Sequence, residues 1–155
     1  MPVKPVPEGY TTLSPYLVVD GAAQAIDYYQ RVFGATERGR FDGPDGKVAH
    51  AELRIGDTVM MVADPSAESN IKAPTQLGAT SVGIFLYVED VDATVQRAVD
   101  AGATITQPVD DMFWGDRYGK VTDPFGHEWL IATHIEDVSP EEMAERAKEA
   151  LAGAG

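Results

Sequence analysis

Polar and apolar positions along this chain follow two rhythms in turn, and each rhythm predicts an element. Leu13-Ser-Pro-Tyr-Leu-Val-Val19 reads as a strand, with Tyr16 and Val18 on one face and Leu17 and Val19 on the other. Asp20-Gly21 breaks it. From Ala22 to Phe33, Ile26, Tyr29 and Phe33 recur at helical spacing, and Gly34 sits where a helix C-terminal glycine belongs. Ala35 to Phe41 predicts a second strand, and Gly43-Pro-Asp-Gly46 a turn. Val48 to Ile55 alternates strictly. His50, Glu52 and Arg54 share one face, and Ala49, Ala51, Leu53 and Ile55 the other. Thr58-Val-Met-Met-Val-Ala63 follows as a short buried strand.

Asp64 to Ala79 is rich in Pro, Ser, Asn and Ala and reads as a linker or a flap. The rhythm then repeats. Ser81 to Val88 is a strand, and Asp90 or Asp92 can cap the next helix. Val91, Val95, Ala98 and Val99 form that helix's apolar stripe, and Gly102 ends it. Ala103-Thr-Ile-Thr106 starts another strand. Phe113 to Trp129 is a two-strand unit around the turn Asp123-Pro-Phe-Gly126, with Pro at the second turn position, where its fixed φ fits. Trp129-Leu-Ile-Ala132 closes the series. Ser139-Pro-Glu-Glu142 starts a last helix, marked on one face by Met143, Ala147 and Leu151.

The two series match at an offset of about 69 residues. Leu17-Val-Val-Asp20 falls on Leu86-Tyr-Val-Glu89, and Phe-Gly-Ala-Thr at 33–36 falls on Ala-Gly-Ala-Thr at 101–104 after one gap. Each half is strand–helix–strand–strand–strand. The expected organisation is an N-terminal arm at 1–12, a first βαβββ module at 13–64, a linker or flap at 65–79, a second module at 80–136, and a C-terminal helix and tail at 137–155.

Composition narrows the function classes. The 155 residues carry 12 Lys and Arg against 25 Asp and Glu, a formal charge of −13. Such a chain is repelled by nucleic-acid phosphates and anionic membranes, so neither is an expected partner. The chain has no cysteine, which removes disulfides, thiol nucleophiles and thiolate metal sites. No apolar run approaches the ~20 residues of a membrane span, and the N-terminus lacks a signal-peptide core. The expected location is cytoplasmic.

The paired modules resemble the glyoxalase/bleomycin-resistance/dioxygenase family, the vicinal oxygen chelate superfamily, and most closely its PhnB-like branch. The likeness is carried by Val19 through Ile26-Asp-Tyr-Tyr29 to Phe33-Gly34, by His50-Ala-Glu-Leu-Arg-Ile-Gly-Asp57, and by Phe113-Trp-Gly-Asp-Arg-Tyr-Gly119 with Asp123-Pro-Phe-Gly-His127. It implies an α+β fold of tandem βαβββ modules, forming a curved mixed sheet around a central cleft. It also implies a homodimer. Metal-dependent members draw four ligands from the first and last strands of each half. Carried over, those positions hold Ser14, Met60, Gly83 and Leu130. None offers imidazole or carboxylate, so no metal and no other cofactor is expected.

Candidate chemistry then lies in two clusters. His50 and Glu52 are candidate acid–base residues if their face lines the cleft; the alternative is a solvated strand face. Trp114, Arg117 and Tyr118 suggest an aromatic platform with a cation to fix a planar or anionic ligand. The alternative is a Trp filling the core mouth and an Asp116–Arg117 pair holding the loop. Arg54, Met60 and Phe85 complete the expected ligand contacts. His127 reads as a turn residue bonding to backbone, and His134 as structural or exposed. The leading expectation is a metal-free protein that holds a small organic molecule in the cleft. The alternative is a lyase or isomerase using His50 and Glu52 or a relocated metal.

Overall fold

The computed structural model describes residues 2–153; Met1 of the expected arm, with Ala154 and Gly155 of the expected tail, lies outside the described residues. The chain is α+β, with two four-stranded mixed sheets. By its internal contacts it divides into two units. One comprises the described residues up to Ser81 together with Phe125–His127, and the other Val82–Pro124 with the described residues from Glu128 onward.

In the first unit, β1 (Tyr16–Val18) leads into α1 (Ala22–Phe33), followed by β2 (Thr36–Asp42), β3 (Val48–Ile55) and β4 (Thr58–Ala63). The sheet order is β1-β4-β3-β2, with β1 parallel to β4 and the other pairs antiparallel. A parallel β1–β4 pair requires a crossover, and α1 with β2 and β3 supplies it. Gly34 ends α1 at φ 69°, the left-handed conformation that glycine adopts without a Cβ penalty. No side chain of Gly21 can cap the start of α1. Asp64, just past β4, does so instead. Its Oδ1 accepts from the N–H groups of Gly21 and Ala22, and its Oδ2 from Val48.

Register explains which residues form this core. Leu17 pairs with Val62 and Val62 with Ala51, while Leu53 pairs with Met60; all five are buried. Ala22, Ala25, Ile26, Tyr29 and Val32 of α1 are buried too. Phe125 joins this unit, its ring 6.0 Å from Tyr28 and 6.4 Å from Tyr29. His127 Nε2 lies 2.9 Å from the Val18 carbonyl. A carbonyl only accepts, so Nε2 carries the proton. The expected linker contains a short helix, α2 (Pro74–Leu77), absent from the sequence reading. Gly126, at φ +91°, approaches Pro74 so closely that a Cβ would press on it.

The second unit repeats the plan. It runs β5 (Gly83–Tyr87), α3 (Val91–Asp100), β6 (Thr104–Asp111), β7 (Asp116–Thr122) and β8 (Glu128–His134), in the sheet order β5-β8-β7-β6. Asp90 caps α3 by accepting from Ala93 N. Thr133 holds the same helix start from β8: its Oγ1 accepts from Val91 N and donates to the Val88 carbonyl. Trp129, Ile131 and Val121 are fully buried on one sheet face, and Trp129 Nε1 donates to Asp123 at 2.9 Å. The last helix, α4 (Pro140–Ala152), is capped by Ser139 as expected. None of its residues is buried. It is tied on by Arg146, which reaches the Phe113 carbonyl and pairs with Glu136 and Glu142. No helix of the described residues is long and apolar enough to cross a membrane.

Candidate functional site

In the second unit, strand register sorts the expected site residues onto two faces. Asp116 pairs with His134, Tyr118 with Ala132, and Phe85 with Leu130. Period-two alternation therefore puts Phe85, Tyr87, Asp116, Tyr118, Leu130 and His134 on one face. Trp114 reaches the same face from the turn before β7. The rings form a connected set. Phe85 stacks on Tyr118 at 5.8 Å and touches Tyr87 at 5.1 Å, and Trp114 meets Tyr118 edge-on at 5.5 Å. Phe85 is 46% and Tyr87 60% exposed, so this platform faces solvent. Beside it is an open depression lined by Tyr87, Val88, Glu89, Thr133 and His134.

At the centre lies Asp116, 1% exposed in spite of its charge. Buried carboxylates need donors, and this one has three. Tyr87 Oη donates to Oδ2 at 2.8 Å, Trp114 Nε1 donates to the same oxygen at 3.0 Å, and His134 Nδ1 lies 2.9 Å from Oδ1. Burial pushes the Asp116 carboxyl up. The bonds from His134, Tyr87 and Trp114 outweigh it and hold the group below the ordinary carboxylate value. Conversely, Asp137 first and Asp116 second raise His134, whose Nε2 lies 2.7 Å from Asp137. Bonding to Asp116 raises the Tyr87 hydroxyl. Gly115 makes the arrangement possible. It has φ +99°, and its hypothetical Cβ would collide with the Glu136 carbonyl oxygen. Its own carbonyl accepts from Ile135 and Glu136, which draws Trp114 and Asp116 against the end of β8.

Three expected ligand contacts, Arg117, Met60 and Arg54, lie elsewhere. Arg117 follows Asp116 on the strand and so points to the opposite face. There it makes a two-pronged bond with Asp92 of α3, at 2.7 and 3.0 Å, and a third with Asp111 at 2.9 Å. It pairs with neither Asp116 nor the aromatic platform. Met60 is 2% exposed and packs with Leu53 in the first unit's core, on the face opposite Glu52. In the sequence His134 reads as structural or exposed and Asp116 as a partner for Arg117; the structure makes the two partners of each other. Alternation from Trp114 through Asp116 to Tyr118 was the available signal for Asp116; the pairing with Tyr87 and His134 needs the fold.

In the first unit, His50, Glu52 and Arg54 do share a face. His50 Nε2 is 3.2 Å from Glu52 Oε2, and the His50 ring is 5.7 Å from that of Tyr16. The other Glu52 oxygen accepts from the Tyr10 hydroxyl and lies 4.0 Å from Arg38. The Tyr10 bond is the main cause that holds Glu52 below its ordinary value, which makes it a weaker base. Arg54 donates to the Gly9 carbonyl at 2.9 Å.

The positions that hold metal in metal-dependent relatives do not fit one. Leu130 packs directly on the bare Cα of Gly83, and Met60 is core. Among the described residues no three His, Asp or Glu side chains converge as a divalent ion requires.

Two βαβββ units with these motifs define a protein of the paired-module type. The chain belongs to the glyoxalase/bleomycin resistance protein/dioxygenase superfamily, whose profile matches residues 10–131. It is 52% identical over 134 residues to an uncharacterized protein of Mycobacterium bovis, covering 84% of this chain and 88% of that one. It is 31% identical over 142 residues to the protein YjdN of Escherichia coli, covering 77% and 92%. Among solved structures, TioX from Micromonospora sp. ML1 matches at 30% identity with a TM-score of 0.64, covering 81% of this chain and 99% of that one.

Proposed function

We propose that this protein binds a small, planar, cationic organic molecule on the aromatic face of its second sheet, with no metal in the site. One observation carries the reading: an exposed platform of Phe85 and Tyr87 beside the buried, ionised Asp116. Rings of this kind supply stacking area, and a cation over an aromatic face gains further attraction. Asp116 and the chain's net charge of −13 add a field that favours a cation. Trp114 and Phe85 keep the ligand-contact role that the sequence suggested, while Tyr118, 5% exposed, is buried behind Phe85 and backs it. Arg117, Met60 and Arg54 are left out of it, because the first is bound to α3, the second is core, and the third is on the first sheet bonded to the Gly9 carbonyl.

The reading extends to the PhnB-like branch of the superfamily, supported by the Phe113–Gly119 and Asp123–His127 motifs, and to a homodimer. A second reading is a lyase or isomerase with His50 as base, supported by the His50–Glu52 contact. Calorimetric titration with ethidium and with bleomycin tests the first reading. Saturable binding to wild type, lost in Phe85→Ala, supports it. No saturable binding, or binding untouched by Phe85→Ala, overturns it. Native mass spectrometry on the same sample reports the subunit number.

A further inference from the structure

The open face of the first sheet already carries an occupant, which comes from the chain itself. Tyr10 lies 42 residues from Glu52, yet its hydroxyl donates to Glu52 Oε1. The Arg38 guanidinium sits over the Tyr10 ring, 4.8 Å from its centre, and also faces Glu52. Arg54 fixes the arm one residue earlier by donating to the Gly9 carbonyl. His50 bonds the other Glu52 oxygen, and its ring lies 5.7 Å from that of Tyr16. Each partner meets a different feature of a phenol. A carboxylate accepts the O–H, and a planar cation covers the π face. The hydroxyl's acidity is lowered chiefly by the Glu52 bond, so the phenol is held as a neutral donor.

We infer that Glu52 and Arg38, with His50 supporting Glu52, form a binding site for phenolic compounds, which Tyr10 occupies as a tethered competitor. The site is built without Tyr10. The Glu52 carboxylate keeps His50 and Arg38 as partners when the arm leaves, so it does not have to be buried alone. The tether matters because a residue on a short segment acts at an effective concentration in the millimolar range, and a free phenol must exceed that to displace it. Removing the tethered ring therefore reveals the site, and no new contact needs to be built. All these residues belong to the first unit, so the inference is independent of the aromatic platform around Asp116.

The test is p-cresol, the side chain of tyrosine as a free molecule, titrated into the full chain and followed by amide NMR shifts at residues 50–54. Three proteins are compared: wild type, Tyr10→Ala, and Tyr10→Ala with Glu52→Gln. Toluene, which has the ring without the hydroxyl, is the control ligand. Tyr10→Ala should bind p-cresol at least tenfold more tightly than wild type. It should prefer p-cresol to toluene, and lose that preference when Glu52→Gln is added. Should Tyr10→Ala fail to fold, Tyr10→Phe keeps the ring and removes only the hydroxyl; it should also bind p-cresol more tightly than wild type does. Equal p-cresol affinity in wild type and in the folded Tyr10 variant overturns the inference, as does equal affinity for toluene. Adding Phe85→Ala should leave p-cresol binding unchanged; a loss there would move the phenol to the second sheet and overturn the assignment.

Discussion

Leu130 fills the space that a side chain at residue 83 would need, so that a Cβ on Gly83 would overlap its Cδ1. Both residues stand at positions that the family resemblance assigns to metal ligands. In this chain the two positions form one apolar contact. A loss of ligands could have left a polar gap; here the space is packed.

The contact predicts a stability effect that can be reversed. Gly83→Ala should destabilise by about 1–3 kcal/mol, the usual cost of overfilling a packed position. Adding Leu130→Ala should recover part of that loss, because it removes the clashing methyl. Urea denaturation of the two single variants and the double variant gives the coupling directly. Simple additivity would show that the two side chains do not compete for the space.

Asp116 gathers donors from three separate segments. Replacing it by alanine leaves the Tyr87 hydroxyl, the Trp114 indole and the His134 imidazole without their shared acceptor. The expected loss is about 1–3 kcal/mol, since water can reach the exposed sides of Tyr87 and His134. Asp116→Asn should cost less, because one amide oxygen still accepts from Tyr87 or Trp114. Denaturant midpoints of the two variants rank them, and Trp114 emission, which depends on its indole bond, should shift in both.

The His134 clasp should depend on pH with a defined sign. The value of His134 is raised in the folded state, so its contribution is full below its unfolded value and fades as pH rises through the folded one. Asp116 is depressed, so its contribution is present above its unfolded value and fades as pH falls through the folded one. Wild type should therefore gain most over His134→Gln between about pH 4 and pH 6.5. Melting temperatures of both proteins across pH 3–9 (roughly the span that covers both ordinary values) check it. A constant difference over that range would remove the clasp from the account.

Arg117 and Phe85 separate surface pairing from ligand contact. Arg117→Ala breaks the bonds to Asp92 and Asp111, which are exposed and screened by solvent, so the melting temperature should move little. Ethidium affinity should not move. Phe85→Ala should do the reverse, with stability nearly kept and affinity reduced at least tenfold. Parallel thermal melts and titrations of both variants decide the matter.

Much of the fold could be read from alternation and helix spacing. The helix Ala22–Phe33 begins and ends where Ile26, Tyr29, Phe33 and Gly34 place it. The second helix follows Val91, Val95 and Ala98 from its Asp90 cap. The first strand is shorter than Leu13–Val19, starting only at Tyr16, after Pro15. A proline lacks the N–H that a sheet ladder uses. Faces were partly legible. Trp114, Asp116 and Tyr118 share a parity that Arg117 breaks, so the separation of Arg117 follows from period two alone. Met60 is different: its face depends on pairing with Leu53, a cross-strand register that no local pattern reveals. Tyr10 on Glu52 and His134 on Asp116 are long-range pairings, and sequence spacing carries no signal for either.

The turn Phe125–His127 gives the duplication a direction. Its ring and imidazole serve the first unit, against Tyr28, Tyr29 and the Val18 carbonyl. Cutting the gene after Ser81 would leave the first copy without Phe125–His127, which pack against it, although every residue of its repeat is present. The two copies have thus ceased to be interchangeable.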